Sequence, residues 1–320
     1  MKRLFILASA ATLMLASCAK TTVVYNEAPE EISFKQVTNV MTKAGSSELT
    51  TDMGVFAVLS EGGDEYFSNI QFTASGVEGS KIWKGNPAQY YPLQEALDFA
   101  FYAPYSSSPN NWTYTHSGQV LKSCAYTDVK TTDILFGSEI LADKVKQEDA
   151  YPVTLKHALA KVSIKIKTTA TTENLVTITG VTLNQIYDSG TLTVTYGSDA
   201  LTSAVWNPKG DKKDYKFDAE QVATTSAVDY SDPIYIVASN YGVNDGCEQT
   251  SLVVDYKIKK DGTNEYTGSA TLDLSPDTGK AYWEMGKHYI YTINATVYEI
   301  TFDADVEDMT EVSYDDVQVK

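Results

Sequence analysis

Apolar residues recur at every second position along nearly the whole chain, and that period leaves little besides β-sheet open to it. Val162-Ser163-Ile164-Lys165-Ile166-Lys167 and Thr191-Leu192-Thr193-Val194-Thr195-Tyr196 alternate as strands do with one face in a core and the other in water. Gly54-Val55-Phe56-Ala57-Val58-Leu59 is continuously apolar, which predicts a strand buried on both faces. Leu97-Asp98-Phe99-Ala100-Phe101-Tyr102-Ala103 is another strand, stopped by Pro104, and residues 233–237, 252–258 and 289–293 continue the series. Turn signals such as Glu61-Gly62-Gly63-Asp64, Asp188-Ser189-Gly190 and Asp261-Gly262 separate these runs. Residues 155–160 have helix-forming composition but lead straight into a strand, so they read as a strand entry or one short turn. The 22 tyrosines, with abundant Thr and Val, favour strands too. The chain is therefore expected to be all-β, built of β-sandwiches.

The amino terminus is a separate object. Lys2 and Arg3 precede an apolar run from Leu4 to Leu15, and Leu15-Ala16-Ser17-Cys18 follows. This is a charged n-region, a short h-region and a cleavage box, and the run is too short to span a ~30 Å hydrocarbon core permanently. The box looks like a bacterial lipobox, which makes residues 1–17 a lipoprotein signal peptide and Cys18 a lipidated (palmitate-bearing) first mature residue. Ala19 rather than Asp follows the cysteine, so retention in the inner membrane is not indicated and an outer-membrane tether is expected. Cys124 and Cys247 are the other two cysteines, far apart in sequence; isolated thiols are the expected state rather than a bridge.

About 300 mature residues suggest two domains of ordinary size. A charged stretch ending at Tyr151-Pro152 marks a boundary, giving domains at 44–149 and 150–298 and leaving a tail at 299–320. The tail carries eight acids and one base, a composition that is often simply solvated. Yet Phe302-Asp303-Ala304-Asp305-Val306-Glu307 alternates strictly, Val312 and Tyr314 resume the phase, and Val317 and Val319 shift it by one. A strand that buries one face needs that pattern, and a disordered tail does not.

Charge and motif exclude several classes of function. With 42 acids against 25 bases, the chain lacks the cationic surface that nucleic acid requires. Arg3 is the only arginine, so the mature chain has none. No GxSxG, HExxH, CxxC or Gly-rich phosphate loop is present, and no cofactor or enzymatic activity is expected. His116, His157 and His288 are far apart and suit packing or hydrogen-bonding roles. Asp211-Lys212-Lys213-Asp214 suits a solvated turn better than a cation site. Trp83, Trp112, Trp206 and Trp283 suit core packing, although Asn110-Asn111-Trp112 and Tyr114 lie in a Pro/Ser/Asn-rich loop where exposed aromatics would make an adhesive patch.

Four stretches, taken in order behind the lipobox, carry a resemblance. They are Thr42-Lys43-Ala44 with Gly54-Val55-Phe56-Ala57; Tyr90-Tyr91-Pro92-Leu93 with residues 97–105; Asp133-Ile134-Leu135-Phe136-Gly137 with residues 153–162; and residues 283–292 running into 300–308. Together they resemble the fimbrillin-like family, the lipoprotein pilins often called type V. The resemblance implies two tandem transthyretin-like β-sandwich domains with a C-terminal donor-type strand. It also implies a fimbrial (pilus) subunit at the cell surface, exported as an outer-membrane lipoprotein, that polymerises by β-strand donation and supports adhesion. The first strand, within residues 18–43 and carrying Ile32, Phe34 and Val37, would be removed by a trypsin-like protease, with Lys43 at the processing site. Phe302, Ala304, Val306, Val312, Tyr314, Val317 and Val319 would be the donor side chains. The implied partners are other pilin subunits, the outer membrane through lipid on Cys18, and a glycan or protein on a host or bacterial surface.

The sequence departs from the family pattern in two ways. No arginine is available for an arginine-specific protease, so either Lys43 (or Lys35) is cut or the first strand and lipid stay, as in an anchor subunit. Met309 stands where the family often has Trp. The alternative function is a monomeric outer-membrane lipoprotein that binds glycan through an aromatic platform including Trp112.

Overall fold

The computed structural model describes residues 29–36, 51–77, 80–108, 111–123, 126–127, 131–146, 149–169, 174–187, 189–208, 211–217, 219–240, 250–274 and 282–309. Among these, regular structure is entirely β, as the period-2 pattern requires. The stretch at 155–160 is two strands, Leu155–His157 and the start of Leu159–Lys167.

The amino-terminal half is organised by one nine-stranded sheet. Its order is Tyr151–Val153, Ser33–Gln36, Ile82–Asn86, Glu65–Ser75, Met53–Leu59, Leu97–Ala103, Leu135–Gly137 and Leu155–His157, with Leu141–Lys144 also paired to Leu97–Ala103. The first and last strands of that order are separated in sequence by Thr154 alone, so the sheet rolls until its ends meet. Rolling encloses one core: Phe34 from the first strand of the chain reaches Phe72, Phe99 and Phe101 at ring-centroid distances of 5.2, 5.1 and 4.8 Å. Ile32, Met53, Val55, Ala57, Trp83 and Leu155 complete it.

The other face of the same sheet is also covered. A five-stranded sheet joins Trp112–Thr115, Val120–Ser123 and Tyr126–Thr127 to the hairpin Ser189–Gly197 and Ala200–Pro208. Trp112 stacks on Tyr102 at 4.3 Å, and Phe56 packs beside them. The double burial expected of residues 54–59 follows from this: Val55 and Ala57 face one core, Phe56 the other. Gly54 makes the stack possible, since any side chain there would collide with the Tyr102 ring. Sheet membership thus runs across the boundary expected at 149/150, in both directions.

The carboxy-terminal half is a two-sheet sandwich. One sheet runs Val228–Asp229, Leu159–Lys167, Lys287–Ala295, Ile300–Asp308, with Ile234–Val237 also on Leu159–Lys167. The other runs Lys212–Phe217, Leu175–Tyr187, Ser251–Lys260, Asn264–Asp273, with Gln221–Val222 also paired to Leu175–Tyr187. Ile164 and Ile293 from one sheet and Val176, Ile178 and Val254 from the other belong to one buried cluster.

Phe34 is wholly buried among three other rings. Phe34→Ala is therefore expected to cost about 3–5 kcal/mol of folding stability, from lost transfer energy and the cavity left behind. Ser33→Ala, on the opposite face of the same strand, should cost far less. Urea unfolding of the two variants, at unchanged m-value, checks this.

Candidate functional site

The two strands singled out by sequence are seated in different ways. The first, Ser33–Gln36, is an inner strand, antiparallel to Ile82–Asn86 and parallel to Tyr151–Val153. Phe34 lies opposite Trp83, Ser33 opposite Lys84 and Lys35 opposite Ile82. Just before it, the Ile32 amide donates to the Gln89 carbonyl at 2.7 Å, and the Tyr91 amide donates to the Glu30 carbonyl at 3.0 Å. Two ion pairs hold the rim: Lys84 with Glu31, and Lys146 with Glu30 at 3.7 Å. Lys35 is inside this ladder, paired on both sides, so a protease has no free extended chain to grip there. Lys43 and Val37 lie outside the described residues, as does Cys18.

Among the described residues, Ile300–Asp308 is the last strand and lies at the edge of its sheet. It pairs antiparallel with Lys287–Ala295 along its whole length, with Ile293 opposite Phe302, Tyr291 opposite Ala304 and Tyr289 opposite Val306. Ile300 and Phe302 pack against the sandwich core, whereas Ala304 is exposed and Val306 is 55% exposed. Three acids of the strand face polar or cationic side chains of the chain's own sheet. Asp303 accepts from Asn294 Nδ2 at 3.0 Å and from Lys167 Nζ at 3.3 Å. Those two bonds hold its carboxyl below the usual carboxylate value. Asp308 pairs with Lys287, which raises the lysine's pKa. Glu307 lies 3.7 Å from His288 Nδ1.

Phe302, Ala304 and Val306 therefore complete the chain's own sheet in this structure, where sequence had placed them in a strand for a neighbour. The Met309 amide donates to the Gly286 carbonyl at 2.6 Å, extending the attachment of this strand to its own sheet. Val312, Tyr314, Val317 and Val319 lie outside the described residues, as do Cys124 and Cys247.

The remaining candidates resolve into structural roles. Trp112 is 6% exposed, because the Tyr102 ring covers it, and so offers no surface platform for a sugar. Trp206 donates to the Ala158 carbonyl at 2.6 Å and Trp283 to the Tyr291 hydroxyl at 3.0 Å. His157 pairs with Asp133, and His116 Nδ1 lies 3.9 Å from Asp98. Asp214 accepts the Gln185 amide at 3.0 Å. Among the described residues no group of three or more His, Cys, Asp or Glu is placed to hold a metal ion. His288, for which sequence suggests a packing or hydrogen-bonding role, brings its Nε2 to 2.8 Å from Ser163 Oγ in the neighbouring strand. Burial, then the positive charge of Lys161, hold its imidazole below the ordinary value of 6.5 against the opposing pull of Glu307.

The fimbrillin-like family matches the chain over residues 37–308. The fold is similar to that of a putative cell adhesion protein from Bacteroides uniformis, at 16% identity and a TM-score of 0.52, covering 88% of this chain and 98% of that one. A fimbrial protein from Bacteroides vulgatus is similar at 15% identity and a TM-score of 0.52, covering 86% and 100%. A putative cell adhesion protein from Parabacteroides distasonis gives 12% identity and a TM-score of 0.51, covering 89% and 97%. No curated protein matches the chain.

The depressed His288 value carries a sign. The folded chain binds fewer protons there than the unfolded chain, so this contribution to stability is present above pH 6.5 and lost as pH falls below it. The thermal midpoint is expected to fall between about pH 7.5 and 5.5, and His288→Gln should flatten that part of the profile.

Proposed function

The chain belongs to the fimbrillin-like family, which matches it over residues 37–308, and from that premise we propose that it is a subunit of a surface fimbrium that polymerises by strand exchange. In this reading the chain is exported as a lipoprotein, lipidated on Cys18 and tethered to the outer membrane. Cleavage after Lys43 then frees the segment that bears the first strand. Its departure leaves Ile82–Asn86 and Tyr151–Val153 with unpaired backbone groups and uncovers Phe72, Phe99 and Phe101. An inner seat vacated in this way is stable only when another strand fills it.

The observation that carries the reading is the placement of Ser33–Gln36. It is a short strand near the amino terminus, inserted between two strands of later sequence, with Ile32 and Phe34 wholly buried. Filling each of those two side-chain seats is worth about 1.5–3 kcal/mol of burial. The donor is the carboxy-terminal segment of a neighbouring subunit, beyond the edge strand that this chain keeps for itself. The partners are thus other pilin subunits, alike or different, and the adhesive surface is that of the assembled fibre. The family is one of fimbrial structural proteins, and the reading assigns the chain no catalysis.

Deletion of residues 310–320 tests this directly. The truncated chain should keep its far-UV circular dichroism and thermal midpoint but yield no high-mass polymer after processing, whereas the full chain does. Polymer from the truncated chain at full-length levels overturns the reading. N-terminal sequencing of the surface form separates the two roles: a start at Ala44 marks a shaft subunit, and a lipidated Cys18 marks an anchor.

A further inference from the structure

The first strand and the carboxy-terminal segment share a local sequence. Glu31-Ile32-Ser33-Phe34, followed three positions on by Val37, recurs at the other end of the chain as Glu311-Val312-Ser313-Tyr314, followed three positions on by Val317. The intervening pair differs, Lys35-Gln36 against Asp315-Asp316. Every matched residue whose seat is described has a defined job there. Ile32 and Phe34 are wholly buried, Ser33 is on the other face opposite Lys84, and Glu31 pairs with Lys84. The recurrence thus keeps an acid for the rim lysine, two apolar anchors at alternate positions, and a small polar residue between them.

We propose that residues 311–316 of one subunit occupy the seat of residues 31–36 of the next, in the same direction and in one register. Glu311 then pairs with Lys84, Val312 fills the Ile32 seat, and Tyr314 enters the ring cluster of Phe72, Phe99 and Phe101. Strand donation itself is taken from the function proposed above; what is new is the register and the self-complementary chemistry. The register follows from the period of the strand: a slip of one residue would turn Val312 and Tyr314 outward and put Ser313 in the aromatic core. It also makes the chain its own best partner, since a donor lacking the acid–apolar–small–aromatic order would leave Lys84 unpaired or Phe99 and Phe101 uncovered.

The length of the tail permits it. Met309, whose amide donates to the Gly286 carbonyl, is the last described residue, and residues 310–320 follow it in sequence. Eleven extended residues at ~3.3 Å each reach about 36 Å, enough to lay the whole recurrence along a neighbour.

Cross-linking in the assembling full chain, with Cys124→Ser and Cys247→Ser, reads the register. Ser313→Cys with Lys84→Cys, and Asp315→Cys with Ile82→Cys, reproduce pairs that Ser33 and Lys35 make in the structure. Both should give a ladder of disulfide-linked subunits. Val312→Cys with Lys84→Cys, shifted by one, should give at least tenfold less. Fibres whose strongest links fall at a shifted pair, or at none, overturn the register while leaving strand donation standing. Disulfides confined to single subunits overturn the proposal by placing the segment in its own chain's seat. Failure of the parent chain to form fibres at all overturns the strand-donation reading together with it.

Discussion

The structure of the amino-terminal half depends on one contact, the insertion of Phe34 between Phe72, Phe99 and Phe101. Those three rings come from strands that are not neighbours of Ser33–Gln36 in the sheet order. They meet Phe34 only because the nine-stranded sheet rolls closed, and the roll is worth its conformational cost only if something fills the middle. A strand contributed by the first few described residues does that filling, and it supplies the ladder partner for Ile82–Asn86 and Tyr151–Val153 as well. One short segment thus satisfies both the backbone and the core. This concentration of stabilising contacts in one short segment would make its exchange, as proposed above, consequential.

The carboxy-terminal end distributes its contacts in the opposite way. Ile300–Asp308 sits at an edge with most of its side chains exposed, and its attachment is mainly backbone pairing and ion pairs. Exposed pairs such as Lys167–Asp303 add little apiece, because water screens them. They instead fix the strand's register and face, because a one-residue slip would bring acids toward Tyr289 and Tyr291. Covering the edge also removes the strand Lys287–Ala295 from indiscriminate pairing.

How far these features were legible in sequence depends on whether they are local. Alternation marked Leu159–Lys167 and Leu97–Ala103 as strands, and the unbroken apolar run marked Met53–Leu59 as covered on both faces, because side-chain direction is set residue by residue along a strand. Partner choice is not local. Nothing in residues 112–127 announces pairing with residues 189–208, and the boundary drawn at 149/150 cuts through that sheet. For Trp112 residue type suggests core packing while its polar loop neighbours also allow a surface patch; what buries it is Tyr102 and the space that Gly54 leaves for that ring, neither of them local. The acid–apolar alternation of residues 302–307 is compatible with a strand in cis or in trans, since both bury one face; only Lys167, Lys287 and His288, distant in sequence, show that this strand is seated on its own chain.

In the proposed assembly two segments of matched chemistry compete for one seat, and something besides contact energy must make exchange proceed. Near-equal side chains mean a near-equal intrinsic affinity, so contact energy by itself does not choose between the first strand and a donor. Covalent connection does. While the first strand is joined to its own chain, it competes at an effective concentration of about millimolar or more, far above that of any neighbour's segment. Cutting the chain between the strand and the domain converts its release into a true dissociation, and dilution then removes it. In that assembly the donor would gain the complementary advantage, since each subunit bound in a fibre would carry its own segment at high local concentration next to the vacant seat. In the proposed assembly, directionality thus comes from which strand is tethered, and the likeness of the two segments keeps the seat well formed at both stages.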